Sequence, residues 1–337
     1  MAGRTISGDG IAKVQHYVPQ FLLRKFGNGK KDQLHVFDKQ TGRSFSTNAR
    51  NIASESRFYD CQIGGIKATM EPFLSSLESA TKPLFEKLLA ADSIETLGAE
   101  ERFQICKFFA VQFTRTKAFR EQSRALTQML SEKLKSMATT PESLESMKDY
   151  ITSPDENQIK IESALMISGA VNNYAQYFAN KTWHLLSTSK KVPFFISDNQ
   201  ISLQNMTEMK LRGNLGLNVP GIEIYFPLSP TRALAMWCPS HMENILRGAE
   251  QLRVFRVTAP HLVEAYIKDP KGLEAQAQIL KSGEPLPYSA ENVFNFNSLQ
   301  VWNAERYVFS SLDDFVLPKE MIANHTSIRS GPRMKAN

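Results

Sequence analysis

After Lys181 the spacing of apolar residues changes, and that change constrains the fold more than any other feature of the chain. Upstream, Met70, Phe73, Leu74, Leu77, Leu84, Phe85 and Leu88 recur at helical intervals, with Pro72 tolerable in a first turn and Pro83 marking a kink or restart. A second, longer helical pattern runs from Glu100 to Met137, apolar around "ICKFFAVQF", and "IKIESALMISGAVNNYAQYFAN" reads as a third. Downstream, "TWHLLST", "VPFFIS", "GIEIYFPL" and "RALAMWC" are short β-branched or aromatic runs bounded by turn residues, the pattern of a small antiparallel sheet. Helical patterns around Met242–Gln251, Leu262–Lys281 and Ala290–Leu312 follow. Near the start, "QLHVFDKQTGRSFST" alternates about a turn and predicts a hairpin, and "SRFYD" a further strand after the helical turn "NARNIASE". The fold class is therefore α+β, predominantly helical, with an N-terminal β-hairpin and a small antiparallel sheet in the second half.

A single domain over 16–312 is expected, with a flexible arm at 1–15 and a C-terminal tail at 313–337. The weakly patterned segment 138–157 separates possible subdomains 16–137 and 158–312. At 337 residues and 42% hydrophobic, the chain is long enough to bury a real core. It has no apolar run of membrane-spanning length and no apolar leader, so the cytoplasm is the expected compartment and no membrane partner is anticipated. Cys61, Cys106 and Cys238 are odd in number and widely spaced, which disfavours disulfides and zinc ribbons. Of the net charge of +6, residues 1–60 carry ten Lys/Arg against five Asp/Glu. That concentration favours an anionic partner, a nucleic acid or a nucleotide.

The candidate site begins at "HYVPQFLLRKF". His16, Gln20 and Arg24 stand four residues apart, the spacing of one helical face, and bring an imidazole, an amide and a guanidinium together. The competing reading is a docked segment in which these groups only satisfy helix ends and a carboxylate. Glu71 and Glu78 share a face roughly 10 Å apart on the next helix. Arg115 follows the most apolar stretch of the longest helix and needs a partner there. Glu71 or Glu78 is the obvious choice, unless Arg115 clamps a phosphate instead. In "PFFISDNQ" an apolar strand delivers Asp198 and Asn199, either as metal-binding or general-base groups or as an Asx turn. His184, on a predicted strand, and His241 and His261, near helix starts, read as structural. P-loop, Rossmann, zincin and nucleophile-elbow motifs are missing from the sequence, which disfavours those chemistries.

In order and approximate spacing, "HYVPQFLLRKF", "VFDKQTG", "NIASESRFYD", an "ME" helix, "FTRT", "ISDN", "PLSP" and "NSLQVWNAERYVF" resemble the bacterial domain-of-unknown-function family 4238, from residue 14 to about 310. The resemblance implies a polar signature at His16, Gln20, Arg24, Glu71, Arg115, Ser197, Asp198, Asn199 and Asn297. Lys117 and Gln200 stand where the family pattern has proline. The reading these residues suggest is a nuclease-like phosphodiesterase acting on RNA or DNA, a toxin or phage-defence effector with an operon partner protein. His16, Asp198 and Glu71 would be catalytic, and Gln20, Arg24, Arg115, Asn199 and Asn297 would bind substrate. Asp198 and Glu71 are the candidate ligands for Mg²⁺ or Mn²⁺. Without a metal, His16 and Asp198 would act as an acid and base on RNA. The alternatives are a non-enzymatic nucleotide-, peptide- or protein-binding regulatory module, or an enzyme acting on a small nucleotide such as NAD.

Overall fold

A computed structural model describes residues 12–29, 31–137, 155–207 and 214–333. The chain opens with strand β1 (Val14–His16), helix α1 (Gln20–Phe26) and the hairpin β2 (Gln33–Asp38) and β3 (Arg43–Asn48). Pro19 sets the first turn of α1, and Gly42, at a φ of 74°, closes the hairpin. Short strands β4 (Ser54–Ser56), β5 (Asp60–Ile63) and β6 (Ile66–Thr69) follow. The "SRFYD" stretch is thus mostly a turn between two strands, where a strand was expected. The arm is also shorter than the predicted 1–15: β1 pairs antiparallel with β4, so His16 ends a strand and does not lie on the helix of Gln20 and Arg24. Residues 1–11 lie outside those described.

Helix α2 (Glu71–Ala91) runs through Pro83 without a restart. The long pattern from Glu100 to Met137 is two helices, α3 (Ala99–Thr114) and α4 (Lys117–Met137), broken at Arg115 and Thr116. The Thr116 hydroxyl accepts from the Phe119 amide at 3.2 Å and caps the second helix. The weakly patterned segment falls outside the described residues as far as 154. Asp155 then caps α5 (Glu156–Ala179) through the Gln158 amide.

Strands β7 (Thr182–Ser187), β8 (Ile196–Ser197), β9 (Ser202–Gln204), β10 (Glu223–Ser229) and β11 (Arg232–Trp237) come next. They are followed by helices α6 (Pro239–Thr258), α7 (Pro260–Tyr266) and α8 (Pro270–Ser282), then β12 (Leu286–Pro287), α9 (Ala290–Asn303), β13 (Tyr307–Ser310) and α10 (Val316–Asn324). Three expectations change here. Leu262–Lys281 is not one helix, because Asp269 and Pro270 start a new one. The Ala290–Leu312 helix stops at Asn303 and gives way to β13. The stretch from 313 is no free tail, since Phe315, Ile322 and Ile328 are buried against Phe37, Phe195 and Val308.

Two larger sheets result. One has strand order β12-β7-β11-β10-β9, antiparallel except for the β12–β7 pair. The other runs β3-β2-β13-β8, so "VPFFIS" joins the N-terminal hairpin and not the sheet of its sequence neighbours. Along β10 and β11 the side chains alternate between two cores, as a period of two requires. Ile224, Phe226, Leu234 and Met236 face the main core with α1, α2, α3 and α5, while Tyr225, Ala233, Ala235 and Trp237 face a second core with Phe296 and Leu280. Among the described residues no helix is long and apolar enough to cross a membrane.

Candidate functional site

The end of β1, the start of α1, the first turns of α2 and the α3–α4 break meet around the His16 side chain. The direction of the hydrogen bonds there follows from chemistry. A carbonyl only accepts, so His16 Nε2, 3.1 Å from the Arg50 carbonyl, carries the proton. His16 Nδ1 then presents its lone pair to the Gln20 amide nitrogen at 3.3 Å, and Gln20 Oε1 accepts from Arg24 at 3.1 Å. The three residues therefore form a donor relay from Arg24 through Gln20 to His16, although a strand end supplies one and a helix two. Burial holds the imidazole below its usual 6.5, the Arg50 carbonyl and Glu78 working against that shift. Arg24 is exposed, with Asp32 3.5 Å away as its ion-pair partner.

Arg115 is 2% exposed, and each of its three guanidinium nitrogens makes a hydrogen bond. It donates to Glu78 Oε1 at 2.7 Å, to the His16 carbonyl at 2.7 Å and to the Tyr59 hydroxyl at 3.1 Å. That hydroxyl lies 3.3 Å from the carbonyls of both His16 and Arg115. Of its two candidate acids Arg115 thus bonds Glu78, and burial rather than a lack of donors closes it to a phosphate: three of its five N–H groups are used, but the side chain is only 2% exposed. Glu71 lies near the same pair, half-buried. Burial raises its carboxyl above the ordinary 4.5 and the charges of Glu78 and Asp60 add to that, with Arg115 opposing.

Asp198 does not share this surface. It is fully buried, and both its oxygens accept backbone N–H groups: Oδ1 from Glu305 at 2.7 Å, Oδ2 from Arg306 at 2.8 Å and from Tyr307 at 3.0 Å. Burial pushes its carboxyl up to about 6 against those stabilising bonds. Neither the metal-ligand nor the general-base expectation survives, because the carboxylate ties the turn before β13 and offers no free oxygen. Asn297 is likewise structural: Oδ1 takes the Phe195 amide at 2.7 Å and Nδ2 donates to the Pro193 carbonyl at 3.0 Å. Ser197 bonds Gln300, and Asn199 bridges the Thr116 hydroxyl and the Asn303 carbonyl. Substrate contact by Asn297 is therefore a corrected expectation. Asn199 braces the helix break from behind. No group of three or more His, Cys, Asp or Glu able to hold a metal occurs among the described residues.

Two residues that matter here were not singled out from sequence. Tyr59 sits inside the "RFYD" motif, and Gln112, buried in "FFAVQF", donates to the Tyr17 carbonyl at 3.1 Å and to Gln200 Oε1 at 2.8 Å. A lone amide in so apolar a run was the available signal for Gln112. Of the two positions that depart from the family pattern, Lys117 occupies the first turn of α4, where proline is also tolerated, and pairs with Glu55. Gln200 uses its side chain to accept from Gln112.

No curated protein and no solved structure matches the chain. A family profile described as "Protein of unknown function (DUF4238)" matches residues 14–314. The match takes in both larger sheets and every candidate from His16 to Asn297, so the chain belongs to the DUF4238 family.

Proposed function

We propose that the chain is a nuclease-like phosphodiesterase that cleaves RNA without a metal, with His16 and Glu71 as the proton-transfer pair. The observation that carries this reading is that both side chains stand beside the Arg115–Glu78 pair in a half-buried setting, where burial shifts the imidazole down and the carboxyl up from their ordinary values. In the reaction, Gln20 swings aside and His16 Nδ1 takes the proton of a ribose 2′-OH. The alkoxide attacks the adjacent phosphorus, and Glu71 donates its proton to the departing 5′-oxygen. The products are a 2′,3′-cyclic phosphate and a 5′-hydroxyl. Arg24 neutralises the phosphate, and the Arg50 carbonyl supports the imidazolium through Nε2–H. Arg115 is a positioning residue that holds the His16 backbone. RNA is favoured over DNA because the nucleophile then comes with the substrate. Such an activity suits an effector of the toxin or phage-defence kind.

Labelled RNA, DNA and NAD incubated with the protein in EDTA provide the test. RNA alone is cleaved, leaving cyclic-phosphate ends, and His16→Ala or Glu71→Gln slows cleavage by about 100-fold or more. The rate follows a bell-shaped pH profile with its maximum on the acid side of 6.5, since the base is shifted down from 6.5 and the acid up from 4.5. Cleavage that requires Mg²⁺ or Mn²⁺, or that cuts DNA equally, overturns the mechanism. A second reading, a nucleotide-binding regulatory module, is favoured by the fact that both His16 ring nitrogens already have partners; saturable binding without turnover would establish it.

A further inference from the structure

Helices α4 and α5 lie side by side away from the His16 cluster. Their helical periods put Arg120 and Ser123 on one wall, and Ile159, Glu162, Ser163 and Met166 on the other, of a cleft of about 270 Å³. Phe119 and Leu165 complete its described lining. Apart from Arg120, Glu162 and two hydroxyls, the side chains there are apolar. The volume is below that of pockets for drug-sized ligands, about 300–1,000 Å³, so a guest must be small.

Arg120 lacks what its burial demands. The side chain is 5% exposed and its guanidinium stacks 3.6 Å from the centre of the Phe58 ring. Of its five N–H groups only those on Nη2 find acceptors, the Phe58 carbonyl at 2.9 Å and the Ser163 hydroxyl at 3.3 Å, and both are uncharged. Burial holds the guanidinium below its usual 12.5. The carboxylates that oppose this shift are already taken: Glu156 and Glu121 pair with Arg124, and Glu55 pairs with Lys117. Among the described residues Arg120 has no ion-pair partner, whereas the equally buried Arg115 has Glu78 at 2.7 Å. A cation taken out of water calls for an anion. The unpartnered Nε is sealed and can serve no guest, but Nη1 has no acceptor either and is not sealed.

We infer that this cleft binds a small apolar carboxylate of the fatty-acid kind, its head accepting from Arg120 Nη1 and its chain lying against Phe119, Ile159, Leu165 and Met166. A carboxylate matches the guanidinium in charge and in hydrogen-bond geometry. The Glu162 carboxylate and the apolar walls work against a more highly charged phosphate ester.

Octanoate and 1-octanol form a matched pair of probes, alike in their chain and different in the charged head. In calorimetric titrations octanoate binds at least about tenfold more tightly than octanol. Arg120→Gln, which keeps a donor for the Phe58 carbonyl, abolishes that preference. Glu162→Gln removes a like charge and tightens octanoate binding, while Leu165→Glu adds one at an exposed position and weakens it. The last two variants leave the buried groups untouched and keep the test decisive if Arg120→Gln misfolds. Inorganic phosphate does not displace octanoate. Absence of octanoate binding, equal affinity for the two probes, a preference that survives Arg120→Gln, weaker binding by Glu162→Gln, or displacement by phosphate overturns the assignment.

Discussion

At the scale of single residues, burial without a partner decides which form of a side chain the fold accepts. His184 on β7 packs its ring 4.8 Å from that of Trp237, and its Nε2 has no hydrogen-bond partner. Desolvation therefore drives its imidazole down to about 4 from 6.5. The unfolded chain protonates this ring below 6.5 while the folded chain resists until about 4, so the stability His184 lends is complete above 6.5 and is lost as pH falls to about 4. The full difference amounts to about 3 kcal/mol. Urea unfolding at pH 7.5 and 4.5 is expected to show a larger acid loss for the native chain than for His184→Phe, and equal losses would refute the argument. The structural character of His184 was legible from its place in "TWHLLST". For Asp198 the same letters served two readings, since an Asx-type turn and a metal-binding strand end use the same residue types. Only the three backbone N–H groups arriving from residues 305–307 decide between them.

At the scale of elements, the α3–α4 break is what gives the candidate site its shape. Arg115, at φ −87° and ψ −6°, leaves the helix just where its side chain crosses to α2 and to the end of β1. Removing it strands Glu78, which is only 24% exposed, and unties the His16 carbonyl. Arg115→Met is expected to cost about 3–5 kcal/mol, as breaking one side of a buried pair does, and adding Glu78→Gln to recover part of that loss. Strict additivity of the two changes in denaturant titrations would show that the pair is not coupled. The apolar periodicity runs straight through this region, which is why the sequence predicts one long helix there. Thr116 as a cap was the available signal, but a lone Thr inside a periodic pattern is weak without a proline or glycine beside it.

At the scale of the molecule, the N-terminal hairpin and the residues from α9 to Arg333 close on each other. Strand β13 pairs with β2 and with β8, uniting residues from the start, middle and end in one sheet. Lys39 is fully buried, with its Nζ donating to the Val301 and Ala304 carbonyls at the end of α9, and burial lowers it to about 8. Arg329 donates to the Lys39 and Gln40 carbonyls, and Arg333 pairs with Glu305. A chain ending at Leu312 would expose Phe37, Phe195 and Val308 and lose these ties. Such a truncation is expected to be insoluble or to unfold at least about 10 °C lower, whereas the full chain unfolds in one transition by circular dichroism. A soluble truncation with unchanged melting would contradict the closure.

What the sequence by itself determined is local: the helical character of the first half apart from the break at Arg115 and Thr116, the hairpin, the short strands after Lys181, and the family to which the opening motif belongs. Each follows from a period or a turn residue that acts within a few positions of itself. The tertiary structure decided which strands share a sheet, that "VPFFIS" leaves its neighbours for β13, and that His16, Glu71, Glu78 and Arg115 converge while Asp198 turns inward. Those outcomes depend on which buried polar groups find partners across the chain, and a donor's need for an acceptor carries no sequence separation with it.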